Sequence, residues 1–237
     1  MNPRALPALL AMSLGTTCLT AQTTPQSADA PAPGSSPPPQ IYGKVVDGVY
    51  TSPSGLYKVP VPVLPELGGN IMDTLNVVTF EDDFSTHISI GAFPLSRELK
   101  WEFETRGAKE FLIYFFTNIV MPDFVARFPG ASLEDNGVFL PKYQDGSMIV
   151  FTLLPGGSSF AQRVTLGATP APVVAKRGNL CFVKYNTVIV VSIELTERVL
   201  ERSTYHKTVD EENTQLRKRL MDLVGKMQFT APPEAKN

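Results

Sequence analysis

The C-terminal part of the chain has the clearest helical pattern of apolar and polar positions. Thr208 and Glu211 form the T-x-x-E pattern of a capping box, in which each side chain bonds to the other residue's backbone N–H. The following apolar residues recur at intervals of three or four, as on one face of an α-helix: Leu216, Leu220, Leu223, Val224 and Met227. This pattern predicts an amphipathic helix that begins after Thr208, packs on a sheet and leads into the apolar segment MQF.

A second helical pattern lies in the segment TRGAKEFLIYFFTNIV, residues 105–120. We expect Thr105 to cap this helix and Pro122 to end it, because the residue before a proline is disfavoured in helical conformation. A further short helical turn is predicted from Pro122, since Phe124 and Phe128 lie four residues apart. The apolar face of the main helix comprises Ala108, Phe111, Leu112, Phe115 and Ile119.

Most of the remaining chain has the short, β-branched and alternating runs that are typical of strands. One hairpin is predicted from LNVVTFE and THISIGAF around the loop DDFS, and another from NLCFVK and VIVVSIEL around residues 185–187. In VIVVSIEL one face is aliphatic and the other is half-polar, as in a sheet covered more heavily on one side. Further strands are expected in KVVDGVYTS, SGLYKVPVPVL, NGVFLPKY, GSMIVFTLL and FAQRVTL.

The order of these elements predicts the α+β class. We expect an antiparallel β-sheet covered by a helix in the N-terminal half and by the C-terminal amphipathic helix. Residues 41–231 would form this single domain, followed by a disordered tail at 232–237.

The first 21 residues have the pattern of a signal peptide. Arg4 precedes an apolar run at 5–15 that is shorter than the ~20 residues of a membrane span, and we expect cleavage after Ala21. The mature chain would then be periplasmic or extracellular, without a transmembrane span. Lipidation of Cys18 is not favoured, because no aliphatic residue opens the box before it. The alternative is a disordered cytoplasmic N-terminus.

Residues 22–40, QTTPQSADAPAPGSSPPPQ, have the proline-rich composition of a disordered linker. This linker is either a spacer or a passive tail. The whole chain contains 21 basic and 23 acidic residues, so its charge does not favour binding to nucleic acid. Cys181 would be the only cysteine after cleavage, and its apolar surroundings indicate a buried residue rather than a nucleophile.

Four segments together resemble the PsbP-like fold, which the photosystem PsbP proteins share with the Ran-binding Mog-type proteins. They are SGLYKVPVP, VTFEDDFSTHISI, RGNLCFVKYNTVIVVSIEL and LRKRLMDLVGKMQF, and they cover most of residues 48–229. The chain departs from the family because it lacks a tryptophan soon after the opening strand; its single tryptophan is Trp101. The resemblance implies a non-catalytic accessory or binding module, and it assigns no functional residue.

Acidic residues surround one of the two histidines in TFEDDFSTHISIGAF. Asp82, Asp83 and His87 are candidate metal ligands, since carboxylate and imidazole groups bind cations. However, Asp82 and Asp83 are adjacent and would point apart on an extended chain. A solvent-facing turn explains the same acids and is the favoured interpretation, so no cofactor is expected.

A serine hydrolase is the alternative function. In LLPGGSSF, Ser158 or Ser159 could act as a nucleophile with His87 or His206 as the base, beside the backbone N–H groups of two glycines. The segment has no G-x-S-x-G pattern, and a Pro-Gly-Gly turn explains the same residues. Catalysis is therefore not favoured.

Aromatic residues are denser between positions 101 and 128 than one helix face can hold. Some of them must line a second core surface or form a patch that binds a partner. The candidate binding residues are Trp101, Tyr114, Phe116, Phe124 and Phe128. We therefore expect an exported, non-catalytic accessory or binding protein whose partner is another protein of the cell envelope.

Overall fold

The computed structural model describes residues 41–135, 137–161, 173–201 and 204–231. These residues form two antiparallel sheets with helices packed against them. The predicted signal peptide, the linker at 22–40, the tail at 232–237 and Cys18 lie outside the described residues. So does most of the predicted strand FAQRVTL.

The smaller sheet has four strands in the order β1-β2-β3-β12. They are β1 (Lys44–Val46), β2 (Val49–Thr51), β3 (Tyr57–Pro60) and β12 (Gln228–Phe229). β12 lies in the predicted MQF segment. It pairs with β3, so the end of the described chain is hydrogen-bonded to a strand near its beginning.

The larger sheet has eight strands, seven of them in the order β4-β5-β6-β11-β10-β9-β7, while β8 pairs with β9. The first strands along the chain are β4 (Asn70–Asp73), β5 (Val77–Glu81), β6 (His87–Pro94), β7 (Ser132–Leu133) and β8 (Val138–Leu140). The others are β9 (Ser147–Pro155), β10 (Val174–Lys184) and β11 (Thr187–Glu194). Both predicted hairpins, β5–β6 and β10–β11, are confirmed.

The helical segment in the middle of the chain is longer than predicted. It comprises α1 (Arg97–Phe115), a π-helical turn (Phe116–Val120) and α2 (Met121–Arg127). Thr105 is not the N-cap, because Ser96 holds that position and accepts a hydrogen bond from the Leu99 backbone at 3.2 Å. Gly107 interrupts α1 with a positive φ of 76°, so the predicted helix forms only the part after the break. Pro122 does not end the segment, because it lies in the first turn of α2, where no N–H is needed.

The C-terminal part contains a short helix, α3 (Glu197–Leu200), and the predicted amphipathic helix, α4 (Val209–Val224). Thr208 and Glu211 form the capping box as expected. α4 packs closely on β10 at Gly178, where a Cβ atom would lie 3.0 Å from side-chain atoms of Leu216 and Leu220.

The larger sheet is covered on both faces. α4 and the smaller sheet cover one face, where the core includes Tyr50, Ile90, Val191 and Leu220. The helical segment 97–127 covers the other face, with Phe111, Phe115, Cys181 and Val190 among its core residues. The expected uneven covering is therefore wrong at β11, whose residues are all buried.

Candidate functional site

The strand register lines up polar side chains in rows across the larger sheet. Glu81 pairs with His87, and Arg177 pairs with Glu194. Because β6 is hydrogen-bonded to β11, His87 comes next to Glu194 on the face that carries the helical segment 97–127. A second row lies two residues further along each strand and consists of uncharged polar side chains: Thr79, Ser89, Ser192 and Asn179. The following row is mostly apolar: Val77, Gly91, Val190 and Cys181.

The charged row forms a compact ion network around Glu194. Nδ1 of His87 lies 2.8 Å from Oε2 of Glu194, and Nη2 of Arg177 lies 3.7 Å from the same oxygen. Burial alone would raise the pKa of Glu194, but hydrogen bonds from His87 and Ser158 and the charge of Arg177 hold it below its ordinary value. Glu194 is therefore an ionised acceptor, and His87 donates to it through Nδ1–H.

Arg177 is the buried cation of the network. Its Nη2 donates to the carbonyl oxygen of Gly157 at 3.1 Å, while its buried Nε has no hydrogen-bond partner among the described residues. Burial lowers the pKa of Arg177, Glu194 opposes that shift, and the nearby Arg127 adds to it. The two guanidinium groups are thus close enough to repel each other.

The serine and histidine candidates do not form a nucleophile–base pair. A serine nucleophile needs its hydroxyl on the imidazole nitrogen opposite the one that the carboxylate holds. Ser158 instead lies near the carboxylate of Glu194 and helps to lower its pKa, and this carboxylate holds Nδ1 of His87. Ser159 and His206 are exposed, and Ser159 faces a different, acidic cavity with Asp82 and Asp83.

The candidate metal ligands are held apart by the turn between β5 and β6. This loop spans residues 82–86, one residue longer than DDFS, and Oδ1 of Asp82 accepts backbone N–H bonds from Phe84, Ser85 and Thr86 at 2.8–2.9 Å. Asp82 thus stabilises the turn, and its pKa is lowered because these bonds outweigh burial. His87 turns instead to Glu194. Within the described part of the chain, no group of three or more His, Cys, Asp or Glu residues is placed to hold a metal ion.

A cavity of about 390 Å³ lies between the polar rows and the helical segment. The sheet contributes His87, Ser89, Arg177 and Val190 to its lining. The helical segment contributes Phe115, Ile119, Asp123, Phe124 and Arg127, and Phe128 lines the cavity directly after the end of α2. We call it the helix–sheet cavity. Its size falls within the range of pockets that hold small organic molecules.

The predicted aromatic residues fall into three environments. Phe124 and Phe128 are half-buried and line the helix–sheet cavity. Phe116 is fully buried in the core, so the expectation that it presents a binding surface is corrected. Tyr114 is half-buried under the guanidinium of Arg106, with 4.7 Å between Cζ and the ring centroid, and Trp101 is 61% exposed on α1.

Sequence reasoning found His87 and Ser158 but missed Glu194, Arg177 and Arg127. Glu194 had one available signal, because a charged residue on the half-polar face of a strand-like run needs a partner when it is buried. Arg177 and Arg127 gave no comparable signal, since each occupies a position that suits a solvated cation. Their proximity depends on how the helical segment lies across the sheet.

The comparisons with known proteins are informative about the fold only. No protein-family model matches the sequence, and no curated protein matches it. Among solved structures, the chain is similar to the PsbP protein CyanoP of Synechocystis sp. PCC 6803, with 11% identity over 84% of this chain and 99% of that chain and a TM-score of 0.45. It is also similar to the Ran-binding protein Mog1p of Saccharomyces cerevisiae, with 9% identity over 81% of this chain and 97% of that chain and a TM-score of 0.40. These are the protein groups that the sequence resembles; at such identities and TM-scores they say nothing about the ligand or partner of this chain.

In the part of the chain that the structure describes, no helix is both long and apolar enough to cross a bilayer.

Proposed function

We propose that this chain is an exported, non-catalytic binding protein that takes a small ligand into the helix–sheet cavity. The cavity itself is the observation that carries this function. Its helical side is largely apolar, and its sheet side presents an ordered set of polar groups next to apolar ones. An apolar pocket with a few convergent polar groups is the usual form of a small-molecule site.

The ion network supports binding rather than catalysis. Nδ1 of His87 bonds to the buried Glu194, and no hydrogen bond joins Ser158 to His87 within the described residues, so the two do not form a nucleophile–base pair. The hydrogen bond from His87 and the positive charge of Arg177 keep this carboxylate ionised. The network therefore gives the cavity a fixed polar end.

Support for export comes from the sequence. Arg4, the apolar run at 5–15 and the small residue Ala21 follow the order of a signal peptide, and a proline-rich segment separates them from the folded domain. N-terminal sequencing of the protein recovered from the expressing cell checks this. A mature chain that begins at Gln22 is expected, whereas an intact Met1 on a cytoplasmic protein would exclude export.

A neutral fluorescent probe tests the cavity. N-phenylnaphthylamine gains emission in apolar surroundings, so we expect saturable binding to the full chain and much weaker binding to Ile119→Trp, which fills the cavity from its partly exposed edge. Val125→Trp is the matched control, because Val125 is an exposed residue of α2 that does not line the cavity. Equal probe binding by both variants and the parent protein would remove the cavity as a ligand site.

The exposed indole of Trp101 favours a second candidate function, contact with another protein of the cell envelope. A photoreactive phenylalanine analogue placed at position 101 is expected to cross-link to a single partner in the intact cell. The same analogue at position 84, where Phe84 is comparably exposed, is the control. Identical products from both positions would exclude a specific contact at Trp101.

A further inference from the structure

We propose that the helix–sheet cavity binds an amphipathic monocarboxylate, with the carboxylate between Arg127 and Arg177 and the apolar body along the phenylalanine side chains of the helical segment. This ligand class rests on the binding function proposed above and adds the charge of the ligand and its orientation. The cavity is lined by both guanidinium groups, by the aromatic residues and by the polar rows of the sheet.

The charges around the cavity favour an anion. Among the described residues of its lining there are two guanidinium groups and one carboxylate, that of Asp123. Glu194 lies beside Arg177, but at 3.7 Å its Oε2 is too far from Nη2 for a hydrogen bond. Glu194 therefore balances the charge of Arg177 without a direct hydrogen bond between them, and Arg127 supplies the second positive charge of the lining.

Arg177 also has unused hydrogen-bonding capacity. A guanidinium carries five N–H donors, and among the described residues the acceptors near Arg177 all lie at Nη2. Its side chain is 11% exposed and belongs to the cavity lining. A planar carboxylate is the acceptor that best matches a guanidinium, because two parallel N–H···O bonds can form at once.

Arg127 approaches the same place from the end of α2. Its positive charge disfavours the charged form of Arg177, which means that the two cations repel across the cavity. An anion bound between them converts this repulsion into two attractions. The pair is therefore better suited to a bound anion than to an empty cavity.

The apolar part of the ligand follows from the order of the rows on the sheet. The charged row, which contains Arg177, is followed by the uncharged polar row, which contains Ser89, and then by the mostly apolar row, which contains Val190. Phe115 and Phe124 face these rows from the helical segment. A ligand with its head group at the charged row would thus place its apolar chain between the apolar row and the helices.

A matched pair of ligands tests the head group. Octanoate and octanamide have the same chain, but only octanoate is charged at neutral pH. In competition against N-phenylnaphthylamine on the full chain, we expect octanoate to bind about tenfold more tightly, equivalent to ~1.4 kcal/mol. Arg127→Gln should weaken octanoate binding by a similar factor and leave octanamide binding unchanged.

Arg217→Gln is the control for net charge, because Arg217 is exposed on α4, which packs on the opposite face of the sheet. It should leave the binding of both ligands unchanged. Equal binding of octanoate and octanamide would overturn the carboxylate assignment, as would equal losses in Arg127→Gln and Arg217→Gln. The probe separates this failure from a failure of the proposed function. If Ile119→Trp still reduces saturable probe binding, the cavity remains a ligand site that does not prefer carboxylates. If Ile119→Trp leaves probe binding unaltered, both the binding function and the carboxylate assignment are excluded.

Discussion

The carboxylate of Glu194 is fully buried and still ionised, because His87 and Arg177 lie 2.8 and 3.7 Å from it and hold its pKa below the ordinary value. This one side chain decides the chemistry of its neighbours. It fixes the proton of His87 on Nδ1 and balances the charge of the buried Arg177. Hydrogen bonding also occupies Asp82, whose carboxylate oxygen Oδ1 accepts hydrogen bonds from three backbone N–H groups of its own turn.

Replacing Glu194 with Gln should destabilise the protein by about 3 kcal/mol at neutral pH, because the buried Arg177 then loses its countercharge. The pKa of Glu194 is lowered in the folded state, so its contribution is complete above the unfolded-state value of ~4.3 and is lost as the pH falls through the folded-state pKa. Urea unfolding of the parent protein and the variant should therefore give stabilities that converge on acidification.

The control for this variant is Glu104→Gln. Glu104 is exposed and lies 3.9 Å from Lys100 in an i,i+4 pair, so its replacement should cost no more than ~0.5 kcal/mol. A loss in Glu194→Gln that is equally small, or that does not change with pH, would contradict the buried ion network.

At the scale of elements, local sequence signals determined the hairpins and α4, whereas the helical segment 97–127 depended on its surroundings. The capping box of α4 lies within four consecutive residues, so it can be read directly. Gly107 gave no such signal, because a glycine is compatible both with a weak helix position and with a break. Its backbone, with φ 76° and ψ 167°, shows that it is a break.

The variant Gly107→Ala distinguishes these two possibilities by the sign of its effect. In a continuous helix alanine would stabilise the protein by about 1 kcal/mol. At the observed backbone conformation, which is almost restricted to glycine, alanine should destabilise it by about 1–3 kcal/mol. Apart from its chain neighbours and the backbone of its own helix, no described atom lies within 4 Å of the position of the new Cβ, so the change in thermal or urea unfolding reports backbone strain.

At the scale of the whole molecule, the larger sheet separates two cores and is buried on both faces along β11. Cys181 lies in the core under the helical segment 97–127, and it is fully buried. Burial also raises the pKa of its thiol far above the ordinary range. The prediction from sequence that Cys181 is a small core residue is confirmed.

Cys181 should therefore react with a thiol reagent only when the domain opens. In a Cys18→Ser chain, where Cys181 is the only cysteine, we expect labelling by Ellman's reagent to be slow in the native protein and fast in denaturant. The native rate should rise in Gly107→Ala, because that variant lowers the free energy of opening. Rapid labelling of the native parent protein would contradict a closed core at the helical segment.

Local sequence patterns are sufficient to predict the α+β class, the two hairpins, the capping box of α4 and the order of apolar and polar residues along β11, because each depends on neighbours within a few positions. The folded chain is needed to see the register that places His87 beside Glu194 and the approach of Arg127 to Arg177. It also shows that Phe116 is core while Phe124 and Phe128 line a cavity. These relationships join residues far apart in the chain, and they are set by strand pairing and by the packing of a helix across the sheet.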